Sequence, residues 1–505
     1  MTPGSLKTGS VSSFLWGGTG SFLKLLIQAG TQIVLARILG PEQYGLFAIG
    51  VIVFSFSNFL SDIGLAYGLI QRQELRTTHI RFVFTWQLIL GAVVAAAVAL
   101  LAAPLADFFR EPRARDIILA LAPLCFVQAM TAVSLNLLKR SMDFKSISLA
   151  GLLSHFLGFV CVGIPMAMSG FQVWALIAAW AVQVCFNLVF LYGCSRHELR
   201  PLLKHADSAE MTRFGLTVLA TNLTNWFIGN VDRIVAARLL PSVALGLYTT
   251  PYNLMNTPAA TLIGVIQPVM YSACSRVQGE NARIRSAYLA LLGAITLFAM
   301  PLFIAVSAVA DTLVLALYGP VWNGAAAVLQ PIALAMPLYL IWHIATPVLW
   351  TSGRIGSEFR MQLPIVLAWL IGSILAAQYS VGALAWTVLG LFALRALVFT
   401  LAAAQTMKVP VRELVRVSIP GAVLGIVIGG CAMIVDTGLT GAIDSPAARL
   451  ASVVLVCGLV GLAALRRVQP LIDPQLVLLI GNVLHRLPVR MSAAVNGLVF
   501  GSKRA

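Results

Sequence analysis

A seven-residue stretch of apolar helix occurs twice in this chain, 201 positions apart. The first copy is Ile-Val-Leu-Ala-Arg-Ile-Leu at residues 33–39, and the second is Ile-Val-Ala-Ala-Arg-Leu-Leu at residues 234–240. The match continues beyond the next turn, where Gly-Leu-Phe at 45–47 corresponds to Gly-Leu-Tyr at 246–248. A repeat of this period indicates two homologous halves, an organisation that in membrane carriers encloses a transport path.

The composition excludes a water-soluble protein. Of the 505 residues, 59% are hydrophobic and 10% are charged, and the mean hydropathy is +0.91. The apolar runs are long and do not alternate with polar residues, so they do not fit the strands of a membrane barrel. Because backbone at bilayer depth must satisfy its own hydrogen bonds, we predict an all-α integral membrane protein.

About fourteen candidate spans of roughly 18 to 28 residues follow one another along the chain, the first two near 11 to 39 and 45 to 70. The repeat groups twelve of them into two homologous six-helix bundles and leaves a C-terminal helix pair. The predicted domains are an N-terminal bundle at 1–200, a second bundle at 201–410, the extra pair at 411–466, and a cytoplasmic or interfacial tail at 467–505.

Lys and Arg concentrate in alternate connections, as expected if those connections face the cytoplasm. This pattern predicts that both termini lie inside. The net charge of +16 then follows from membrane topology and requires no nucleic-acid partner. The seven cysteines form no CxxC pair and have no neighbouring histidine ligands, so we expect neither a metal site nor a cofactor.

Polar residues inside the spans are the candidate substrate ligands. A charged side chain at the bilayer centre costs roughly 2.5 to 3.5 kcal/mol and persists only with a partner or water. The first and seventh spans carry polar stripes on one helical face each, at corresponding positions of the repeat. We predict that these stripes and one arginine of the twelfth span line a central cavity: Lys24, Gln28, Gln32, Asn222, Asn225, Arg233 and Arg395.

Two membrane carboxylates, Asp62 and Asp232, are the candidates for coupling to H+ or Na+. In the alternative interpretation, Lys24 pairs with Asp62 and Asp232 pairs with Arg233, which neutralises charges trapped by packing. Secondary candidates are two arginines near outer helix ends, which could instead snorkel to phosphates, and two span histidines, which could be hydrogen-bonded core residues: Arg37, Arg238, His155 and His343.

Three segments carry a resemblance to a known family: LARILGPEQYGL at 35–46, DIGL at 62–65, and DRIV at 232–235 running to LGLY at 245–248. They resemble the polysaccharide flippases of the multidrug/oligosaccharidyl-lipid/polysaccharide exporter superfamily, nearest the O-antigen and exopolysaccharide branch. The resemblance implies a bacterial inner-membrane flippase for lipopolysaccharide or exopolysaccharide biosynthesis. Such a carrier moves undecaprenyl-diphosphate-linked oligosaccharide repeat units from the cytoplasmic to the periplasmic leaflet by alternating access.

Other functions remain as alternatives. A lipid II flippase carries several cavity arginines by its family pattern, whereas the stripes here offer Lys24 and Arg233 among Asn and Gln. A multidrug exporter is a further alternative. A membrane glycosyltransferase or ligase would need a base, a metal site or a long outer loop, and we therefore expect a transporter rather than an enzyme. Expected partners are the lipid-linked oligosaccharide, membrane lipids, and the polymerase and glycosyltransferases of the same polysaccharide.

Overall fold

The computed structural model describes residues 3–62, 64–71, 74–204, 208–276, 281–352 and 355–468. Within these ranges the chain is helical apart from short connections, and no strand is present. The all-α prediction is therefore confirmed. The chain divides into two compact units, unit 1 (Met1–Thr249) and unit 2 (Thr250–Ala505). The four-part division expected from the sequence repeat stays a prediction.

Unit 1 consists of long apolar helices joined by short connections. The segment Phe156–Gly163 is π-helical and joins α6 to α7, so these two elements are parts of one continuous helix. The helices are α1 (Pro3–Asp62), α2 (Leu65–Gln71), α3 (Thr77–Leu100), α4 (Ala102–Phe108), α5 (Ala114–Arg140), α6 (Phe144–His155), α7 (Ile164–Met168), α8 (Val173–Ser195), α9 (Ser208–Leu239) and the first turns of α10 (Ser242–Arg276).

The first predicted span and most of the second lie in α1, which is interrupted at Gly40. Gly40 has φ 74° and ψ 174°, a conformation that glycine adopts at little steric cost. Pro41 follows it at the start of the next helical run, where the missing N–H of proline has no helical partner to lose. The Gly-Pro pair therefore separates two helices within one continuous stretch of chain.

The π-helical segment Phe156–Gly163 packs closely against α8. A Cβ on Gly158 would lie 2.4 Å from the carbonyl oxygen of Ala179, and a Cβ on Gly163 would lie 3.0 Å from the Cβ of Ala179. Because glycine lacks this atom, the wider turn of the π-helix fits against the neighbouring backbone. Single π turns inside α-helices occur frequently at functional sites.

Unit 2 continues α10 and contains a second run of membrane helices. A π-helical turn, Ile295–Ala299, joins two of them, and a 3-10 turn, Pro320–Ala325, precedes α14 and buries Trp322 completely. The helices are α11 (Asn281–Ala294), α12 (Met300–Ala308), α13 (Ala310–Leu317), α14 (Ala326–Thr351), α15 (Ile355–Ala377), α16 (Val381–Met407), α17 (Val411–Leu439) and α18 (Pro446–Val468).

Three glycines four residues apart, Gly421, Gly425 and Gly429, form the face of α17 that packs on α12 and the π turn before it. A Cβ on Gly421 would lie 2.2 Å from the carbonyl group of Thr296, and those on Gly425 and Gly429 would overlap Ile304. Small residues at this spacing let membrane helices approach closely, where van der Waals packing replaces the hydrophobic effect. Helix α17 is thus packed on the preceding helices of unit 2 through a glycine face.

Among the described residues, eleven helical stretches are long and apolar enough to cross a membrane. One of them, Lys24–Ser61, overlaps both of the first two predicted spans. The predicted seventh and eighth spans, near 212 to 238 and 243 to 270, lie in α9 and α10, which are not among the eleven. The chain is a multi-pass membrane protein, and the number fourteen stays a prediction. The predicted tail lies, beyond residue 468, outside the described residues.

Candidate transport site

Lys24 lies on the polar face of α1, and its ammonium group faces α6. The Nζ atom is 3.0 Å from the point at which a Cβ on Gly151 would stand, so the missing side chain of Gly151 leaves room for the ammonium. Among the residues that the structure describes, no carboxylate forms an ion pair with Lys24. The side chain of Asp62 lies outside the described residues, so both its ion-coupling role and its pair with Lys24 stay predictions.

A buried hydrogen-bonded chain joins α1, α6 and α8 beside Lys24. The Nε2 atom of His155 lies 2.9 Å from Oγ1 of Thr31, and its Nδ1 atom lies 3.1 Å from Oε1 of Gln183. The imidazole also stacks on Phe159, with 4.6 Å between ring centroids. Lys24 interacts electrostatically with the ring. The structure thus brings Lys24, a primary candidate of the sequence analysis, within electrostatic range of His155, a secondary one.

Asp232 is buried in unit 1 and accepts a hydrogen bond from a tyrosine. Its side chain is 1% exposed, and its Oδ2 atom accepts the hydroxyl of Tyr248, which is fully buried. Arg233, the next residue, interacts electrostatically with Asp232, while its Nη1 atom donates to Oδ1 of Asn230 at 3.4 Å. The aspartate therefore has a polar partner on α10 that the sequence analysis missed.

The repeat gives both residues of this pair a counterpart in the first copy. Asp232 and Tyr248 correspond, at the offset of 201 residues, to Thr31 and Phe47. In the first copy the phenylalanine ring contacts Trp180 edge-on, at 5.6 Å between centroids, and Thr31 turns to His155 instead. The two copies have these residues at the same helix positions, but the pair is threonine and phenylalanine in the first copy and aspartate and tyrosine in the second.

The remaining polar candidates of unit 1 are accessible to different degrees. Gln28, Gln32, Asn222 and Arg233 are half-buried, and Asn225 is exposed. Their assignment to one substrate cavity stays a prediction. Of the outer arginines, Arg37 is exposed, and the guanidinium of Arg238 lies over the ring of Phe108 at 5.2 Å.

Two glycines of the repeat touch each other's helices within unit 1. A Cβ on Gly45 would lie 1.7 Å from the carbonyl oxygen of Ser242, and a Cβ on Gly246 would lie 1.8 Å from that of Pro41. Ser242 is itself the counterpart of Pro41 in the repeat. The contact is therefore isologous, as at a two-fold interface between identical subunits, although both surfaces belong to one chain.

An ionic cluster lies beside this glycine contact. The Nη1 atom of Arg113 is 2.6 Å from Oε1 of Glu42, its Nε atom is 2.9 Å from Oε1 of Glu111, and its Nη2 atom is 3.4 Å from Oγ of Ser242. The hydrogen bonds from Arg113 hold the pKa of the Glu111 carboxyl below its usual value. Conversely, the two carboxylates raise the pKa of the guanidinium. The sequence analysis did not identify this cluster.

In unit 2, Arg395 lies among aromatic rings. Its side chain is 4% exposed, and its guanidinium carbon lies 3.4 Å from the ring centroid of Trp342 and 5.6 Å from that of Phe399. Cation–π contact offsets part of the cost of removing the charge from water. His343, next to the tryptophan, donates its Nδ1–H to the carbonyl of Tyr339 at 2.8 Å. Binding of substrate by Arg395 or His343 stays a prediction.

The amino-acid sequence is similar to a protein family and to several known proteins. A family model described as polysaccharide biosynthesis protein matches residues 34–327. The chain is 25% identical over 367 residues to lipopolysaccharide biosynthesis protein WzxC of Escherichia coli (strain K12), covering 71% of this chain and 73% of the relative. It is 26% identical over 320 residues to succinoglycan biosynthesis transport protein ExoT of Rhizobium meliloti (strain 1021), covering 63% of each.

The fold is also similar to that of a solved membrane protein. The lipid II flippase MurJ, in an inward closed conformation, superposes with a TM-score of 0.71 at 12% sequence identity, over 89% of this chain and 98% of the flippase. At this identity the similarity shows the fold alone. It agrees with the helical architecture predicted from the sequence.

Proposed function

Because the chain belongs to the polysaccharide biosynthesis protein family, we propose that it is a flippase for lipid-linked oligosaccharides. It moves repeat units carried on undecaprenyl diphosphate from the cytoplasmic to the periplasmic leaflet of the bacterial inner membrane. The family match over residues 34–327 carries this proposal. The names of two relatives support it, since one serves lipopolysaccharide biosynthesis and the other is a succinoglycan transport protein.

The chain is a transporter and not an enzyme. One relative is named as a transport protein, and the family match covers the helices that carry the repeat. The proposed mechanism is alternating access, in which the saccharide and diphosphate cross through polar surroundings while the lipid tail stays in the bilayer. Both termini lie in the cytoplasm in this proposal, as the distribution of Lys and Arg indicates.

Lys24 is the residue that best fits a diphosphate ligand. Its ammonium lies at membrane depth without an ion-pair partner among the described residues, and Gly151 leaves space around it. A diphosphate supplies the negative charge that such a cation needs. Arg233 and Arg395 are the further proposed phosphate ligands.

The neutral amides of the predicted stripes suit the saccharide. Asn and Gln side chains both donate and accept hydrogen bonds, as sugar hydroxyls do. We assign this role to Gln28, Gln32, Asn222 and Asn225. The proposed coupling ion is H+ or Na+, bound at Asp62 or Asp232, and the proposed protein partners are the polymerase and glycosyltransferases that make and use the repeat unit.

Deletion of the gene in its host tests the proposal. We expect the polysaccharide to disappear and a lipid-linked oligosaccharide to accumulate on the cytoplasmic side, where mass analysis of extracted lipids identifies its repeat unit. Normal polysaccharide with accumulated lipid II, or with sensitivity to drugs, would contradict the assignment.

Complementation then tests the site. A gene copy with Lys24→Gln should fail to restore the polymer, whereas one with Arg412→Gln, a change at an exposed arginine in the first turn of α17, should restore it. Both variants are first checked for equal amounts in the membrane. Full export by the Lys24 variant would refute the role of Lys24 as a phosphate ligand.

A further inference from the structure

His155 is a buried imidazole with a hydrogen-bond partner on each ring nitrogen. It is 6% exposed, and Thr31, which faces its Nε2 atom, is 6% exposed. The hydroxyl of Thr31 also lies 2.8 Å from the carbonyl oxygen of Ile27 and 3.1 Å from that of Gln28. A hydroxyl has one proton, so when it donates to its own helix it accepts from Nε2–H of the histidine. In this arrangement the Nε2 atom carries a proton.

Gln183 can serve this histidine in either charge state. Its Oε1 atom faces Nδ1 at 3.1 Å, which requires a proton on Nδ1 and makes the ring an imidazolium. When the amide rotates by half a turn, its NH2 group donates to Nδ1 of the neutral ring instead. His155 therefore stays hydrogen-bonded on both sides with or without the second proton. A buried group with this property is suited to bind and release a proton.

The positive charge of Lys24 opposes binding of the second proton to His155. Lys24 on α1 interacts with the ring electrostatically, and among the described residues α5, α8 and the π-helical segment contribute no other titratable group that does so. Gly151 and His155 are four residues apart and lie on one face of α6, so the ammonium beside Gly151 lies about one helical turn from the imidazole. Two like charges in a membrane interior repel each other strongly.

We propose that His155 is a proton-binding site coupled to anion binding at Lys24. A diphosphate at Lys24 offsets the ammonium charge, so a proton from water binds Nδ1 of His155, and departure of the diphosphate releases that proton to water. This inference rests on the proposed function, which places a lipid diphosphate at Lys24. It adds a coupling group other than Asp62 and Asp232.

The test measures binding of a defined probe as a function of pH. The probe is farnesyl diphosphoryl-N-acetylglucosamine, whose diphosphate is esterified at both ends and does not titrate near neutral pH. Its affinity for the full-length protein in lipid nanodiscs is measured by calorimetry from about pH 6 to about pH 8. We expect binding to tighten as the pH falls, by up to about tenfold for each pH unit, because one proton is taken up with the anion.

Four variants identify the group responsible. His155→Gln should bind the probe with no pH dependence, and Lys24→Gln should bind weakly at every pH. Thr31→Val keeps the side-chain volume but removes the acceptor of Nε2–H, so the pH dependence should move to lower pH. His197→Gln is the matched control, because His197 is a buried histidine outside the membrane spans, and its pH dependence should equal that of the parent.

The outcomes separate this inference from the proposed function. Binding that depends on Lys24 but is equal at all pH values would overturn the coupling and leave the flippase assignment intact. Binding that survives Lys24→Gln unchanged would refute the diphosphate site itself and the coupling with it. A pH dependence that persists unchanged in His155→Gln would assign the proton to another group and overturn the proposal.

Discussion

Gly45 and Gly246, equivalent residues of the repeat, each pack against the backbone of the other's helix. The space between them is smaller than a methyl group, since an added Cβ would come within 1.7 or 1.8 Å of a carbonyl oxygen. Neither atom that it would meet can rotate away, because both belong to backbone. The contact therefore fixes the distance between α1 and the start of α10.

Gly45→Ala and Gly246→Ala should each destabilise the protein. Overpacking at a close contact costs about 1 to 3 kcal/mol, and here the helices must separate to admit the methyl group. The measurement is the midpoint of thermal unfolding of the purified protein in detergent. Gly30→Ala is the control on α1, since nothing lies within 4 Å of its added Cβ, and it should be neutral or slightly stabilising. Equal midpoints for all three variants would contradict the close contact.

The Arg113 cluster should make the stability of the folded protein decrease at acidic pH. Arg113 lowers the pKa of Glu111, so this carboxylate stabilises the folded state above its unfolded pKa of about 4.3 and loses that effect as the pH falls through the lower, folded value. Because the side chain of Arg113 is 53% exposed, the contribution is about 1 kcal/mol or less and weakens with salt. Unfolding midpoints measured below about pH 5 should fall more steeply for the parent than for Arg113→Gln. Parallel curves would show that the cluster contributes nothing.

Removal of the Tyr248 hydroxyl should be costly, and a second change should repair it. Tyr248→Phe leaves the buried carboxylate of Asp232 without this donor, at a cost of about 1 to 3 kcal/mol. Adding Asp232→Thr recreates the Thr31 and Phe47 pair of the first repeat and removes the buried acid. Thermal unfolding of the single and double variants should show the double variant to be the more stable. If the double variant lost as much stability as Tyr248→Phe and Asp232→Thr lose together, the two residues would act independently.

Trp342→Ala should destabilise unit 2 by exposing the charge of Arg395 to an emptied space. The lost cation–π contact and ring packing together cost about 2 kcal/mol or more. Trp342→Phe keeps a smaller aromatic face and should lose less. Trp386→Ala, which removes a ring that is 52% exposed on α16, serves as the control in the same unfolding assay. Similar losses for Trp342→Ala and Trp386→Ala would rule out a special role of the stacked ring.

Gly421→Ala should loosen the attachment of α17. The added Cβ would lie 2.2 Å from backbone atoms of Thr296, whereas the Cβ of Gly430→Ala, on another face of the same helix, meets nothing within 4 Å. We expect the first change to lower the unfolding midpoint and the second to leave it unchanged or raise it. Limited proteolysis of the loop before α18 provides an independent measure. Equal behaviour of the two variants would argue against the glycine face.

Periodicity predicted the local part of this structure. The spacing of Lys24, Gln28 and Gln32 placed them on one helical face, because that property depends only on the turn of the helix. The break at Gly40 was also marked by its sequence, since glycine followed by proline suits a helix boundary. Such features are set by residues within a few positions of one another.

Contacts between distant segments could not be predicted in this way. Thr31 and His155 are 124 positions apart, and no pattern in either helix indicates that they meet. The repeat related Gly45 to Gly246 but did not reveal that they touch. The π-helical turn after His155 also escaped prediction, because it depends on how Gly158 packs against Ala179 and not on a local propensity.

The exchange of Thr31 and Phe47 for Asp232 and Tyr248 has a consequence for the evolution of the molecule. Because each predicted half has six spans, both copies enter the membrane from the same side, and two identical halves would carry the same side chains at equivalent positions. An ionisable pair present in one copy alone breaks this equivalence. Duplication supplied the scaffold, and the divergence of one pair of side chains gives the second copy a buried acid that the first copy lacks at the equivalent position.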